Sequence, residues 1–283
     1  MVVHDPRLHA FRPDLADERL RGRVEARRFV AGAAYHVSAG VLSLRTGRST
    51  DSQQGSELLF GESVRVFEVA DKWAWLQNDA DGYVGYVDAA GLEPGRTDPT
   101  HRVSVLRTYL YSKADLKSPV RALLSMNASV AVAASEGPFL GLADGGWIWA
   151  GHLAPVGEFE SDHGAVALRF LGTPYLWGGR SSIGLDCSAL VQIALTRCGR
   201  DAPRDSDMQA ESLGTPVPFD GDQSALQRGD LVFWPGHVGI WLAADQFVHA
   251  NATHMMTVVE PFDDAARRIS DATGDEVAAV RRP

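Results

Sequence analysis

The stretch 34–87 is made of short runs in which apolar and polar side chains alternate. Tyr35-His36-Val37, Val41-Leu42-Ser43-Leu44, Ser63-Val64-Arg65-Val66-Phe67-Glu68-Val69, Trp73-Ala74-Trp75-Leu76 and Gly82-Tyr83-Val84-Gly85-Tyr86-Val87 are separated by turn residues. A period of two marks a half-buried strand, and five such strands in succession predict a small barrel. Glu93-Pro94-Gly95-Arg96-Thr97-Asp98-Pro99 reads as a linker. A second β-rich block follows, with Val103-Ser104-Val105-Leu106, Leu110-Tyr111, Ser129-Val130-Ala131-Val132-Ala133-Ala134, Phe139-Leu140-Gly141-Leu142 and Trp147-Ile148-Trp149. Gly146-Trp147-Ile148 falls where Gly85-Tyr86-Val87 falls in the first block. The second block therefore reads as a degenerate copy of the first.

The pattern differs at the two ends. Residues 7–30 are rich in Arg, Glu, Ala and Leu, and a helix is expected over 14–29 with Leu15, Leu20, Val24 and Phe29 inward. Near 158–171 a helix is expected on Ala165, Leu168, Phe170 and Leu171. Another begins at Ser188, with Leu190, Ile193 and Ala194 at core spacing. Three β runs come after it: 230–234, 237–242 and 246–250. One helix layer on an antiparallel sheet is an α+β arrangement. The expected organisation is a helical segment at 1–32, barrels at 33–96 and 97–157, and an α+β domain at 158–283.

Composition bounds the function. The chain has 283 residues, 45% of them hydrophobic and 22% charged, with net charge −9. Most of that charge lies in 158–283, where 18 acidic face 10 basic side chains. A nucleic-acid footprint is therefore not expected. Nor is a membrane partner, since no stretch has the length of a membrane span and 1–6 lacks the pattern of a signal peptide. The expected location is cytoplasmic. Cys187 and Cys198 lie at opposite ends of one expected helix, about 16 Å apart, too far for a disulfide.

Cys187 stands where the Gly-rich Pro174-Tyr175-Leu176-Trp177-Gly178-Gly179 loop gives way to a helix. There the free N–H groups and the dipole are expected to lower a thiol pKa. His237 and His249 lie in the β runs. Alternation puts His237 with Gly239 on one face of their strand and His249 with Phe247 on one face of theirs. A thiol, a base and a group that orients the base are the parts of a cysteine nucleophile. Asp186 reads as either a helix N-cap or a ligand contact. Trp177, Trp234 and Trp241 read as packing, and His152, His163 and His254 as surface residues. No Cys/His group has zinc-ligand spacing.

Tyr175-Leu176-Trp177-Gly178-Gly179, Asp186-Cys187-Ser188, Arg228-Gly229-Asp230-Leu231-Val232-Phe233, His237-Val238-Gly239-Ile240 and His249-Ala250 resemble the NlpC-type cysteine peptidases, over about residues 160–283. These are papain-like enzymes that cut bacterial cell-wall peptides. Leu58-Leu59-Phe60-Gly61-Glu62 and the run from Asp81 to Val87 resemble a bacterial SH3-like module. The resemblance implies a papain-like domain behind two SH3-like barrels. It makes Cys187 the nucleophile, His237 the base, His249 the orienting residue and Tyr175 an aid to the oxyanion. It groups Asp186, Ser188, Asp205 and Ser206 around the substrate. Tyr83 (or Tyr86) and Glu57 come from the first SH3-like module. The implied activity is hydrolysis of the γ-D-glutamyl–diamino acid bond of a short murein peptide with a free N-terminal L-Ala, without cofactor or metal. A hydrolase of intact peptidoglycan and a non-catalytic wall-binding protein are the alternatives.

Overall fold

The computed structural model describes residues 4–283; Met1, Val2 and Val3, part of the expected N-terminal segment, lie outside it. The chain divides into two compact units, with the boundary between Val156 and Gly157.

The helix expected over 14–29 does not form. Instead β1 (Ala16–Asp17) pairs in parallel with β2 (Phe29–Val30). Between them a single 3-10 turn, Glu18–Leu20, is capped by Asp17. Gly22 at φ +78 cannot continue a right-handed helix. Ala10 and Leu15 are buried against Phe67 and Trp75, and the Arg12 guanidinium lies 4.2 Å from the Trp75 ring centroid. Burying these residues as an extended strap prevails over the helix propensity of the segment.

The first barrel contains seven strands. They are β3 (Ala33–Val37), β4 (Val41–Arg45), β5 (Gln54–Leu59), β6 (Ser63–Ala70), β7 (Trp73–Asn78), β8 (Val84–Asp88) and β9 (Leu92–Pro94), in the order β5-β4-β8-β7-β6-β3-β9. Their inward residues, among them Val37, Leu44, Leu58, Leu76 and Val87, form its core. The second block holds β10 (His101–Val103), β11 (Arg107–Tyr111), β12 (Val120–Ser125), β13 (Ser129–Val130), β14 (Val132–Glu136), β15 (Phe139–Leu142), β16 (Trp147–Trp149) and β17 (Leu153–Pro155). Its orders, β12-β11-β16-β15-β14 and β13-β10-β17, reproduce the first barrel with the long β6 broken into β13 and β14. The bulges recur as well. Those at Leu44/Arg45 and Val66/Glu68 match those at Leu110/Tyr111 and Val132/Ala134.

The two copies share a core. Leu59 and Phe60, at the end of β5, are buried among Leu110, Leu124 and Ile148. The Ser129 N–H donates to the Phe60 carbonyl at 2.9 Å. Gly61, at φ +78, has no room for a Cβ, which would fall 1.9 Å from the Ser129 oxygen.

The second unit is a sheet with helices. It comprises α1 (His163–Leu168), β18 (Arg180–Ser181), β19 (Gly184–Leu185), α2 (Cys187–Arg197), α3 (Ser206–Ser212), β20 (Thr215–Pro216), β21 (Leu231–Trp234), β22 (His237–Ala243), β23 (Gln246–Asn251), β24 (Met256–Pro261), α4 (Phe262–Thr273) and β25 (Ala279–Arg282). The main sheet runs β20-β25-β21-β22-β23-β24. Helix α2 packs on β22 and β23 and is buried along almost its whole length, more than one apolar stripe would give. One side of the sheet buries Val232, Trp234, Trp241, Phe247 and Val280 against Phe262 and Ala265 of α4.

Candidate active site

Cys187 is the first residue of α2 and is 6% exposed. Asp186 caps the helix, its Oδ1 accepting from the Ala189 N–H at 2.9 Å. That carboxylate also accepts from the Gly178 N–H at 2.9 Å and from the Ser188 hydroxyl at 3.2 Å. Arg204 grips it with two nitrogens, at 3.0 and 2.7 Å, and donates to the Ser188 hydroxyl at 3.0 Å. Arg204 is 1% exposed. Removing one partner of such a buried pair costs about 3–5 kcal/mol, so the helix start is firmly fixed. Gln209 adds a second clamp, donating to the Ser188 and Pro203 carbonyls at 2.9 and 2.8 Å.

The sulfur lies beside the entry to β22. The Gly236 carbonyl oxygen is 4.0 Å from Sγ, and the Val238 and Ser188 amides act on it in favour of the thiolate. His237 stands between Gly236 and Val238 in the chain. The thiol pKa is nevertheless not lowered, contrary to the expectation from the helix dipole. Burial first, and then the adjacent Asp186 carboxylate, push it up to about 12. The Tyr175 hydroxyl pKa is also pushed up, by burial first and then by the charge of Cys187. The Cys187 N–H makes no hydrogen bond among the described residues, as suits an oxyanion donor.

A row of polar side chains crosses three strands. His237 Nε2 is 2.8 Å from His249 Nδ1. His249, fully buried, places Nε2 2.6 Å from Glu260 Oε1 and 2.9 Å from Asn251 Nδ2. Glu260 is held by both terminal nitrogens of Arg268, at 2.8 and 2.6 Å. The register explains the row. Continuing the Ile240–Val248 pair by one residue sets His249 opposite Gly239, two positions from His237. His249 itself pairs with Val258, two positions from Glu260. Each step is a diagonal contact on one face. A Cβ on Gly239 would fall 2.8 Å from the His249 Cβ and 2.3 Å from Phe247 Cζ, so glycine there makes room for the His249 ring. Burial, and then His249, press the His237 pKa down to about 3. Hydrogen bonds from His249 and Arg268 outweigh burial and hold Glu260 at about 2. The resting site thus pairs a neutral thiol with a neutral imidazole.

The remaining expected residues lie in both units. Asp205 occupies the N-cap position of α3 without a side-chain capping bond, and Ser206 opens that helix; both are half-buried. In the first unit Tyr83 is buried in the barrel core beside Gly55. The Tyr86 hydroxyl accepts from Arg12 at 3.0 Å. Glu57 is buried on β5. His163 is not a surface residue: it is buried and its Nε2 donates to the Gly229 carbonyl at 2.8 Å. Trp177 is 60% exposed, whereas Trp234 and Trp241 pack inside. Among the described residues no group of three or more His, Cys, Asp or Glu is placed to hold a metal ion. No described helix is long and apolar enough to cross a membrane. Glu260 and Arg268 were not singled out from sequence, and Arg204 and Asn251, though they fall in runs that stand out there, were given no role. A hairpin pairing 246–251 with 256–261 would have put Glu260 on the histidine face.

Residues 172–268 match the NlpC/P60 family, and residues 44–92 match the bacterial dipeptidyl-peptidase Sh3 domain. The chain carries an NlpC/P60 domain behind a bacterial SH3 domain. The chain is 27% identical over 74% of its length, and 76% of the relative's, to a protein from Bacillus subtilis (strain 168) named gamma-D-glutamyl-L-lysine dipeptidyl-peptidase. It is 35% identical to dipeptidyl-peptidase 6 of Lysinibacillus sphaericus over 36% of each chain. An NlpC/P60 family protein from Bacillus cereus ATCC 10987 shares the fold. The TM-score is 0.75 at 19% identity, covering 88% of this chain and 99% of that one. The papain-like α+β fold and its assignment to a peptidase family follow.

Proposed function

We propose that this NlpC/P60 chain is a cysteine endopeptidase. It hydrolyses the γ-D-glutamyl–diamino acid bond of short murein peptides with a free N-terminal L-Ala, in the cytoplasm, as a step in reusing wall peptides. The observation that carries the reading is the thiol of Cys187 at a helix start beside the His237–His249 pair. His237 takes the Cys187 proton, and the sulfur attacks the γ-carbonyl. The Cys187 N–H and the Tyr175 hydroxyl receive the oxyanion. His237 then protonates the departing amine, and water cleaves the thioester. Since burial penalises each charge, proton transfer goes with attack rather than preceding it. The substrate class is supported by the Sh3-domain match and by the names of the two relatives. Asp205, at the start of a helix anchored to the first turn of α2 through Gln209, is assigned to the substrate ammonium.

The test compares purified protein on L-Ala-γ-D-Glu-meso-diaminopimelate, its Nα-acetyl form and intact sacculi. An unpaired carboxylate in a confined site costs about 3–5 kcal/mol, so the acetylated peptide should react more than about a hundredfold more slowly. Sacculi should stay uncut. Equal rates on free and blocked peptides would overturn the substrate assignment in favour of an intact-wall hydrolase. No cleavage of any of the three would overturn the peptidase reading.

A further inference from the structure

The two neighbours of His249 Nε2 make opposite demands. Glu260 Oε1, at 2.6 Å, belongs to a carboxylate held ionised by Arg268, and an ionised carboxylate only accepts. It requires a proton on Nε2. Asn251 Nδ2, at 2.9 Å, is a donor and requires Nε2 bare. The amide cannot turn over to relieve the conflict, because its Oδ1 accepts from the His254 N–H at 2.8 Å. A charge-assisted bond is about twice as strong as a neutral one, so Glu260 prevails.

The consequence runs along the row. With Nε2 of His249 protonated, its Nδ1 is an acceptor, and His237 Nε2, 2.8 Å away, must donate to it. A neutral imidazole carries one proton. His237 Nδ1 is then bare, and it has no hydrogen-bond partner among the described residues. We propose that Glu260, clamped by Arg268, is a positioning residue that sets the tautomers of His249 and His237 and leaves His237 Nδ1 as the nitrogen that takes the Cys187 proton. The role in proton transfer rests on the peptidase reading above; the tautomer assignment does not. Asn251 supplies the opposite state. If Glu260 no longer accepts, the Asn251 amide bonds a bare His249 Nε2. His249 Nδ1 then donates to His237 Nε2, and the single proton of His237 moves to Nδ1, blocking the base. Besides the Cys187 thiol, the charged and titratable groups that act on the two rings include Glu260, Arg268 and His254.

Nitrogen-15 spectra of the ring nitrogens, recorded at neutral pH on full-length wild-type protein and on Glu260→Leu, which removes the acceptor that a Gln amide would keep, read the tautomers directly. In wild type both rings should carry their proton on Nε2. In the variant both should carry it on Nδ1, and kcat should fall by about a hundredfold or more, as befits a base held in the wrong tautomer, with KM unchanged. Replacing Asn251 by Ala in the Glu260→Leu background should recover part of kcat, which a merely structural role would not do. A wild-type His237 proton on Nδ1, or a Glu260→Leu variant with unchanged kcat, would overturn the proposal. Nε2-protonated rings in a protein that cleaves no peptide would support the tautomer assignment while overturning the peptidase reading.

Discussion

At the scale of single residues the two cysteines separate cleanly. Cys187 is enclosed at the start of α2 beside His237, while Cys198, half-buried, caps the other end of the helix, where the charges that act on its thiol are those of Arg200, Glu160, Asp162 and Arg197. Cys187→Ala should therefore lower kcat by more than about a thousandfold, the scale of losing a nucleophile, with the folded state retained because Ala suits a buried helix start. Cys198→Ala should leave the rate nearly unchanged. Steady-state kinetics with far-ultraviolet dichroism checks both. A large loss of rate in a folded Cys198→Ala protein would reverse the ranking of the thiols. The sulfur and the two histidines were legible in the sequence because each sits in a short run of recognisable composition. The roles of Arg204, Glu260 and Arg268 were not. A charge that acts by pairing with a distant residue looks like any solvated charge until the chain is folded.

At the scale of elements, alternation in β22 and β23 correctly put both histidines on one face, but it did not give the stagger between the strands. That comes from the register, which sets His249 over Gly239. Gly239→Ala would drive a methyl into Phe247 and His249, an overpacking that costs roughly 1–3 kcal/mol. The variant should unfold at lower denaturant and lose activity through a displaced His249. Chemical denaturation with kinetics on the same preparation tests this, and wild-type stability and rate in the variant would contradict it. The elements missed from sequence include helix α4 and the strands β5, β9, β12 and β24. Strand β24 ends in Pro261, β9 in Pro94, and the strap at 16–30 has residues of good helix propensity with Gly22 at a left-handed φ. Local propensity speaks for each residue alone, whereas these segments are settled by what they cover.

At the scale of the whole molecule, the composition shift near the linker at 93–99 marks where one barrel plan ends and its copy begins. It does not mark a boundary in packing. Leu59 and Phe60 belong by sequence to the first barrel and by burial to the core of the second. A fragment ending at residue 96 would expose both, giving up about 1.5–3 kcal/mol for each large apolar side chain. The fragment 4–156 should melt in one transition, and 4–96 should be markedly less stable or aggregate. Calorimetry on the two fragments decides, and an independent, equally stable 4–96 would refute the shared core. The Leu59–Phe60 contact also bears on ancestry. If a duplication produced the second copy, the shared core now ties the two barrels together as one inherited part. Recombination that drops, adds or exchanges one barrel alone would leave an open seam, so lineages should gain or lose the two together.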